Sequence, residues 1–219
     1  MYNNGISIIA KKKGDKMDFK ELAKNRRSVK YFDKDKDVDL DTLKKIINLA
    51  TYSPSAFNFQ PWSIIAVRSE EAKERLYKLA DEQGKILKAS TTLIMIGDRT
   101  GYEKYNPVWD KVEEKLGTEK KNKILKANRK LYGETEEKQI KFGEVNTGLL
   151  AMSIMYSASY YGIDSHPVGG IDAKGIKEEF NIEDNKHVVM LICLGHFNKD
   201  KTMKPRKPRK KFEDFVEVL

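Results

Sequence analysis

Apolar residues recur along this chain at two spacings, one helical and one strand-like, and the alternation of the two predicts a mixed α/β sheet. Leu43, Ile46, Ile47 and Ala50 follow the i, i+3, i+4, i+7 pattern of an amphipathic helix that starts at Asp39 or Asp41. It ends before Pro54, because a residue preceding proline is pushed out of the helical region. Asp18 and Glu21, with Phe19, Leu22 and Ala23 at helical spacing, read as the capped start of a short helix that delivers Arg26 and Arg27. Residues 63–67 and 92–96 read as buried strands, separated by a helix that Ser69 caps and that carries Ala72, Leu76, Leu79 and Ala80.

Further on, residues 101–140 are rich in lysine and glutamate, with scattered apolar positions such as Trp109, Val112, Leu116, Ile124 and Leu125. One or two helices projecting from the core are expected there, since a structureless loop of that length is unusual in a compact domain. Over 142–161 the residues Phe142, Val145, Leu149, Ala151, Met152, Met155 and Ala158 surround nearly the whole helix circumference, and Gly162 supplies a stop. This predicts a central buried helix. A turn at Pro167-Val168-Gly169-Gly170, a short helix over 172–180 and the strongest strand, 188–194, complete the pattern.

A chain of 219 residues with 39% hydrophobic content buries one sizeable core, so residues 18–219 are expected as a single domain behind an N-terminal extension, 1–17. Met17 stands just before the first helix signal, so the leader is either a genuine extension or the product of an upstream start. No apolar run reaches the length of a membrane span and the leader lacks a secretory cleavage pattern, which points to a soluble, cytoplasmic protein. The single cysteine, Cys193, lies within an apolar run and reads as a buried inert thiol rather than a nucleophile. His166, His187 and His196 lack metal-site spacing, so no metal is expected.

The net charge of +9 suits an anionic partner, although 42 basic residues are interspersed with 33 acidic ones over most of the chain. The exception runs from Lys204 to Lys211, where six of eight positions are basic: a nucleic-acid tail, a solvated run or a phosphate clamp. Arg26, Arg27, Ser28 and Lys30 place three cations and a hydroxyl within five residues, either as a solvated face or as a grip on phosphate oxygens. Pro54-Ser55-Ala56-Phe57-Asn58-Phe59-Gln60-Pro61-Trp62 presents a hydroxyl and amides between aromatic residues, the mixture that a pocket for a flat heteroaromatic ring requires. Trp62 itself reads as core packing.

Arg-Arg-Ser-x-Lys followed by Pro-Ser-x-x-Asn-x-Gln-Pro-Trp resembles the nitroreductase family, and the likeness continues through 142–170 into the basic tail. The resemblance implies an α+β fold: a three-layer α/β/α sandwich with a mixed, largely antiparallel central sheet and a helical insertion, here 101–140, over the active site. It also implies FMN at a homodimer interface. Arg26, Arg27 and Ser28 then hold the ribityl phosphate, and Lys30 lies near the flavin pyrimidine carbonyls. Pro54, Ser55, Ala56 and Asn58 arrive from the other subunit, and Gln83 meets the flavin edge. Pro167, Val168, Gly169 and Gly170 line the ring, with the Gly170 backbone near N5. The spacing of Lys207 and Arg209 matches the family's basic pair near the C-terminus, which favours a phosphate clamp over nucleic acid, and the apolar end of the tail 204–219 wraps the partner subunit.

The implied reaction carries electrons from NAD(P)H to an electron-poor acceptor such as a nitroaromatic or quinone, with no protein nucleophile and no obligatory acid–base pair. Two other readings stand beside it: fragmentation of FMN to dimethylbenzimidazole, and flavin binding without turnover. The first is disfavoured by Ser28, where relatives with that activity carry Asp. Gly169 replaces a Glu found in several relatives, so only its backbone role carries over, and residues 101–140 match no relative closely.

Overall fold

The apolar run around residue 94 is continuous because its strand is covered on both faces. The computed structural model describes residues 18–219, so the expected extension over 1–17 lies outside the described residues. Strand β2 (Thr91–Asp98) pairs antiparallel with β1 (Trp62–Val67) and with β4 (Lys186–Gly195), and β3 (Asp164–Val168) closes the far side of β4, giving the order β1-β2-β4-β3. Side chains alternate across a strand, so Leu93 and Met95 face one helical layer and Ile94 and Ile96 the other. The first layer holds α2 (Leu40–Ala50) and α7 (Glu136–Tyr160). The second holds α3 (Glu70–Lys78), α4 (Lys85–Lys88) and α8 (Ala173–Glu179), which contribute Leu76, Ile86 and Ile176.

This is the expected three-layer sandwich. Its named strands pair only antiparallel, and the mixed character comes from a parallel bridge between Ser28 and Ser165. Cys193 faces the second layer from β4, and burial pushes its thiol pKa up to about 11. Asp39, not Asp41, caps α2, accepting the Thr42 N–H at 2.7 Å. Among the described residues no helix is long and apolar enough to cross a membrane.

Two elements depart from expectation. Pro167 and Val168 belong to no turn; they are the last residues of β3, paired with Ile192 and Leu191. Proline lacks a ladder donor, which an edge strand tolerates, so its presence hid the strand. The central helix begins at Glu136 rather than at 142, capped by Thr135, because its first turns are polar and carry no hydrophobic signal. The preceding excursion contains α5 (Val108–Leu116) and α6 (Thr118–Tyr132), pinned to the sandwich by a third apolar cluster of Tyr102, Trp109, Leu125, Phe142 and Phe59.

Helix α7 crosses β2 closely enough to require glycine on both elements. A Cβ on Gly143 would lie 2.6 Å from His187 Cε1, and one on Gly97 would lie 2.9 Å from the same atom and 3.0 Å from the Gly143 carbonyl. Gly143→Ala is therefore expected to destabilise the fold by about 1–3 kcal/mol through overpacking, outweighing a helix-propensity gain of at most about 1 kcal/mol. A urea midpoint unchanged or raised by the substitution would contradict that close crossing.

Candidate flavin site

Helix α1 (Phe19–Asn25) ends at Arg26, and the chain then runs along the free edge of β3. Val29 donates its N–H to the Ser165 carbonyl at 3.0 Å and buries its side chain to 1% exposure. Because strand side chains alternate, Ser28 and Lys30 must face outward, and both are exposed.

The C-terminal basic run comes to this same edge. The Arg27 guanidinium donates to the Lys204 carbonyl at 2.6 Å across 177 residues of sequence. Arg206 reaches back to the carbonyls of Lys24 and Arg26 at 2.6 and 2.8 Å, a cation on the C-terminal carbonyls of α1. Between the two segments lies a hollow of about 350 Å³ lined by Arg26, Arg27, Ser28, Lys30, Lys204, Arg206, Lys207 and Arg209, with Met203 and Phe197 at its apolar side. Burial, then the charges of Arg27, Arg209 and Arg26, lower the Arg206 pKa. Among the described residues no carboxylate forms an ion pair with Arg26, Arg27, Lys30, Lys207 or Arg209. Like charges gathered without counter-charge favour a polyanion, and guanidinium groups match phosphate oxygens geometrically.

Beside this hollow a second group forms a polar edge. Gln83 donates to the Gly170 carbonyl at 2.8 Å and accepts from Lys85 Nζ at 2.5 Å. The turn that aims Gln83 places Asp81 and Glu82 at φ 51° and 47°, left-handed conformations costly for residues with a Cβ. Burial, and after it the Lys30 charge, lower the Lys85 pKa. Gly169 and Gly170 lie exposed past the end of β3, and a Cβ at Gly169 would meet nothing within 4 Å, so packing does not demand glycine there.

The segment 54–61 is built differently. Phe57, Asn58 and Gln60 all hold left-handed φ values of 50°, 58° and 49°. Hydrogen bonds offset that strain: Asn146 Oδ1 accepts the Ala56 N–H at 2.8 Å, Ser55 Oγ accepts the Gln60 N–H at 3.0 Å, and Asn106 donates to the Phe59 carbonyl at 2.9 Å. Phe59 is buried between Trp109 and Phe142, while Phe57 and Asn58 face solvent. Trp62 packs partly buried against the α2–α7 layer, as expected. Pro54, Ser55 and Ala56 border a separate hollow that shares no lining residue with the basic one.

Within one chain the expected site residues therefore form two groups. Arg26, Arg27, Ser28, Lys30, Lys207 and Arg209 are brought together, with Gln83 joined to Gly170 nearby. Pro54, Ser55, Ala56 and Asn58 are not.

The model of the Nitroreductase family matches residues 23–196. The chain belongs to the nitroreductase family. It is similar to MhqN of Bacillus subtilis (strain 168), 31% identical over 206 residues that cover 92% of this chain and 99% of MhqN. The solved structure of YdfN from Bacillus subtilis superposes with a TM-score of 0.85 at 29% identity, covering 92% of this chain and 98% of that one. A chain from Exiguobacterium sibiricum solved in complex with FMN gives a TM-score of 0.78 at 27% identity, covering 93% of this chain and 98% of that one. As a member of this family the protein is a flavin oxidoreductase of the nitroreductase type.

Several residues of this nitroreductase's candidate site escape sequence reasoning. Arg206 sits in the flagged basic run but anchors the tail, a role that spacing does not reveal. Lys85 is reached only through Gln83. Asn146 carried the clearest available signal, a polar amide within an apolar helix that has to find partners when buried.

Behind the polar edge lies His166, at 9% exposure. Burial, then the charges of Lys85 and Lys30, push its pKa from 6.5 down to about 4. The folded value lies below the unfolded one, so the unfolded chain takes up this proton first as pH falls. The contribution to stability is complete above about pH 6.5, is lost as pH falls through about 4, and amounts to at most about 3 kcal/mol. His187, also lowered by burial, acts in the same direction, whereas Asp164, raised by burial, opposes it. Urea midpoints measured from neutral pH down to about pH 4.5 should fall, and fall less steeply in His166→Gln. Identical slopes in the two proteins would show that His166 is not buried neutral.

Proposed function

We propose that this protein binds FMN and uses it to pass electrons from NAD(P)H to an electron-poor acceptor such as a nitroaromatic or quinone, acting as a homodimer. The observation that carries the reading is the meeting of two basic segments at the Arg27–Lys204 contact, without acidic partners among the described residues and beside the Lys30–Lys85–Gln83 edge. Arg26, Arg27, Ser28, Lys207 and Arg209 would hold the phosphate. Lys30 and Lys85 would place positive charge, and Gln83 an amide, at the pyrimidine edge, favouring the anionic reduced ring. Pro167, Val168, Gly169 and Gly170 would line the ring with backbone. FMN, when bound, supplies the hydride-accepting N5. The FMN complex of the Exiguobacterium sibiricum relative supports the cofactor, and the words NAD(P)H nitroreductase in the name of MhqN support the donor.

The separation of the two residue groups supports assembly. Pro54, Ser55, Ala56 and Asn58 of the partner subunit would complete each cofactor site, with the excursion 101–140 above it. Apolar surface outside the two hollows is available for such an interface: Tyr52 is 88% exposed, Leu49 and Tyr160 are exposed on α2 and α7, and the tail ends in exposed Phe212, Phe215, Val218 and Leu219.

Arg26→Ala and Arg209→Ala each remove a charge-assisted phosphate contact and are expected to raise the FMN dissociation constant about tenfold or more. Flavin absorbance retained after gel filtration measures this. Full retention in both variants, or a wild-type protein that takes up no FMN, would overturn the assignment.

A further inference from the structure

The hollow beside the 54–56 segment has a composition unlike the basic one. It measures about 580 Å³, within the range of small-molecule sites. Leu131, Tyr132, Phe142, Val145 and Leu149 form its walls, and Leu131 and Val145 are each 55% exposed. Apolar side chains left in solvent around a concavity mark a place that something apolar covers.

Charge narrows what that something is. Two lysines, Lys138 and Lys141, border the hollow, and no acidic residue does. Lys138 is already paired with Glu134. Among the described residues Lys141 forms no ion pair, although Glu137 and Glu144 stand one turn to either side on α7. Among the described residues the hollow therefore offers apolar walls and one cation without an ion pair at its border.

We propose that this hollow is the acceptor site and that it selects flat apolar acceptors bearing an anionic group, with Lys141 as the charge that selects them. The inference rests on the two-subunit flavin reading, because Pro54, Ser55 and Ala56 border the hollow and also belong to the segment assigned to the partner's cofactor. For an anionic quinone the exchange balances as NAD(P)H, one proton and quinone giving NAD(P)⁺ and hydroquinone; the acceptor's anionic group takes no part and is recognised only.

The deciding experiment is a calorimetric titration of the FMN-loaded protein with 2-naphthoate and with its uncharged counterpart 2-naphthamide, at low and high salt. The carboxylate is expected to bind about fivefold more tightly, the gain from one exposed charge contact, and the advantage should shrink as salt screens it. Lys141→Gln should reduce the preference to within about twofold, and Lys141→Arg should keep it. In turnover, the ratio of kcat/KM for 1,4-naphthoquinone-2-sulfonate to that for menadione should fall by the same factor in Lys141→Gln. Equal binding of the two ligands, binding of neither because the partner's tail fills the hollow, or a preference that survives Lys141→Gln would each overturn the proposal. A protein that holds FMN and reduces menadione yet shows no anionic preference fails this inference alone. Failure to bind FMN sinks the parent reading, and the same titration on cofactor-free protein then still decides the preference.

Discussion

The candidate cofactor site depends on one pairing at the edge of the sheet. The Val29 N–H to the Ser165 carbonyl holds an extended segment against β3, and burial of the Val29 side chain fixes which way its neighbours point. Shifting that register by one residue would drive Ser28 and Lys30 into the core and leave an apolar side chain over the hollow. The C-terminal run arrives second, tied to α1 and to Arg27 by guanidinium–carbonyl bonds, so its placement presupposes the edge pairing.

That assembly concentrates positive charge where, among the described residues, no carboxylate forms an ion pair with Arg26, Arg27, Lys30, Lys207 or Arg209. The arginines outside the hollow are paired: Arg129 with Glu103, Arg75 with Glu179, Arg68 with Asp37 and Arg99 with Glu136. A cluster of unpaired cations opposes its own compaction, and an anion that binds only the folded chain relieves the repulsion and stabilises the fold by mass action. Were FMN that anion, as proposed above, its retention and the stability of the chain would be coupled through the same side chains.

The sandwich itself was legible from sequence wherever burial imposed a pattern. The spacing of Leu43, Ile46, Ile47 and Ala50 gave α2, and continuous apolar runs gave β2 and β4, strands covered on both faces. The edge strand β3 was hidden by Pro167, and the first turns of α7 by their polarity. For the site, residue type and spacing pointed to the two basic runs and to the Pro54 segment, and the structure brings the two basic runs to one hollow. Roles that depend on chain reversal were not readable: nothing local shows that Arg206 faces α1 while Arg209 faces the hollow, or that Lys85 meets Gln83. The left-handed backbone at Phe57, Asn58 and Gln60 was equally silent, because none of the three is glycine.

Those three residues set two demands against each other. Each costs roughly 1–3 kcal/mol relative to a relaxed backbone, and glycine would relieve most of it. Glycine would also delete the Phe57 ring and the Asn58 amide that the segment presents to solvent. A screen for heat resistance alone would therefore drift toward glycine here and discard those exposed side chains with no warning in the melting curve. A chain that keeps the side chains has to make up the lost stability elsewhere in the fold.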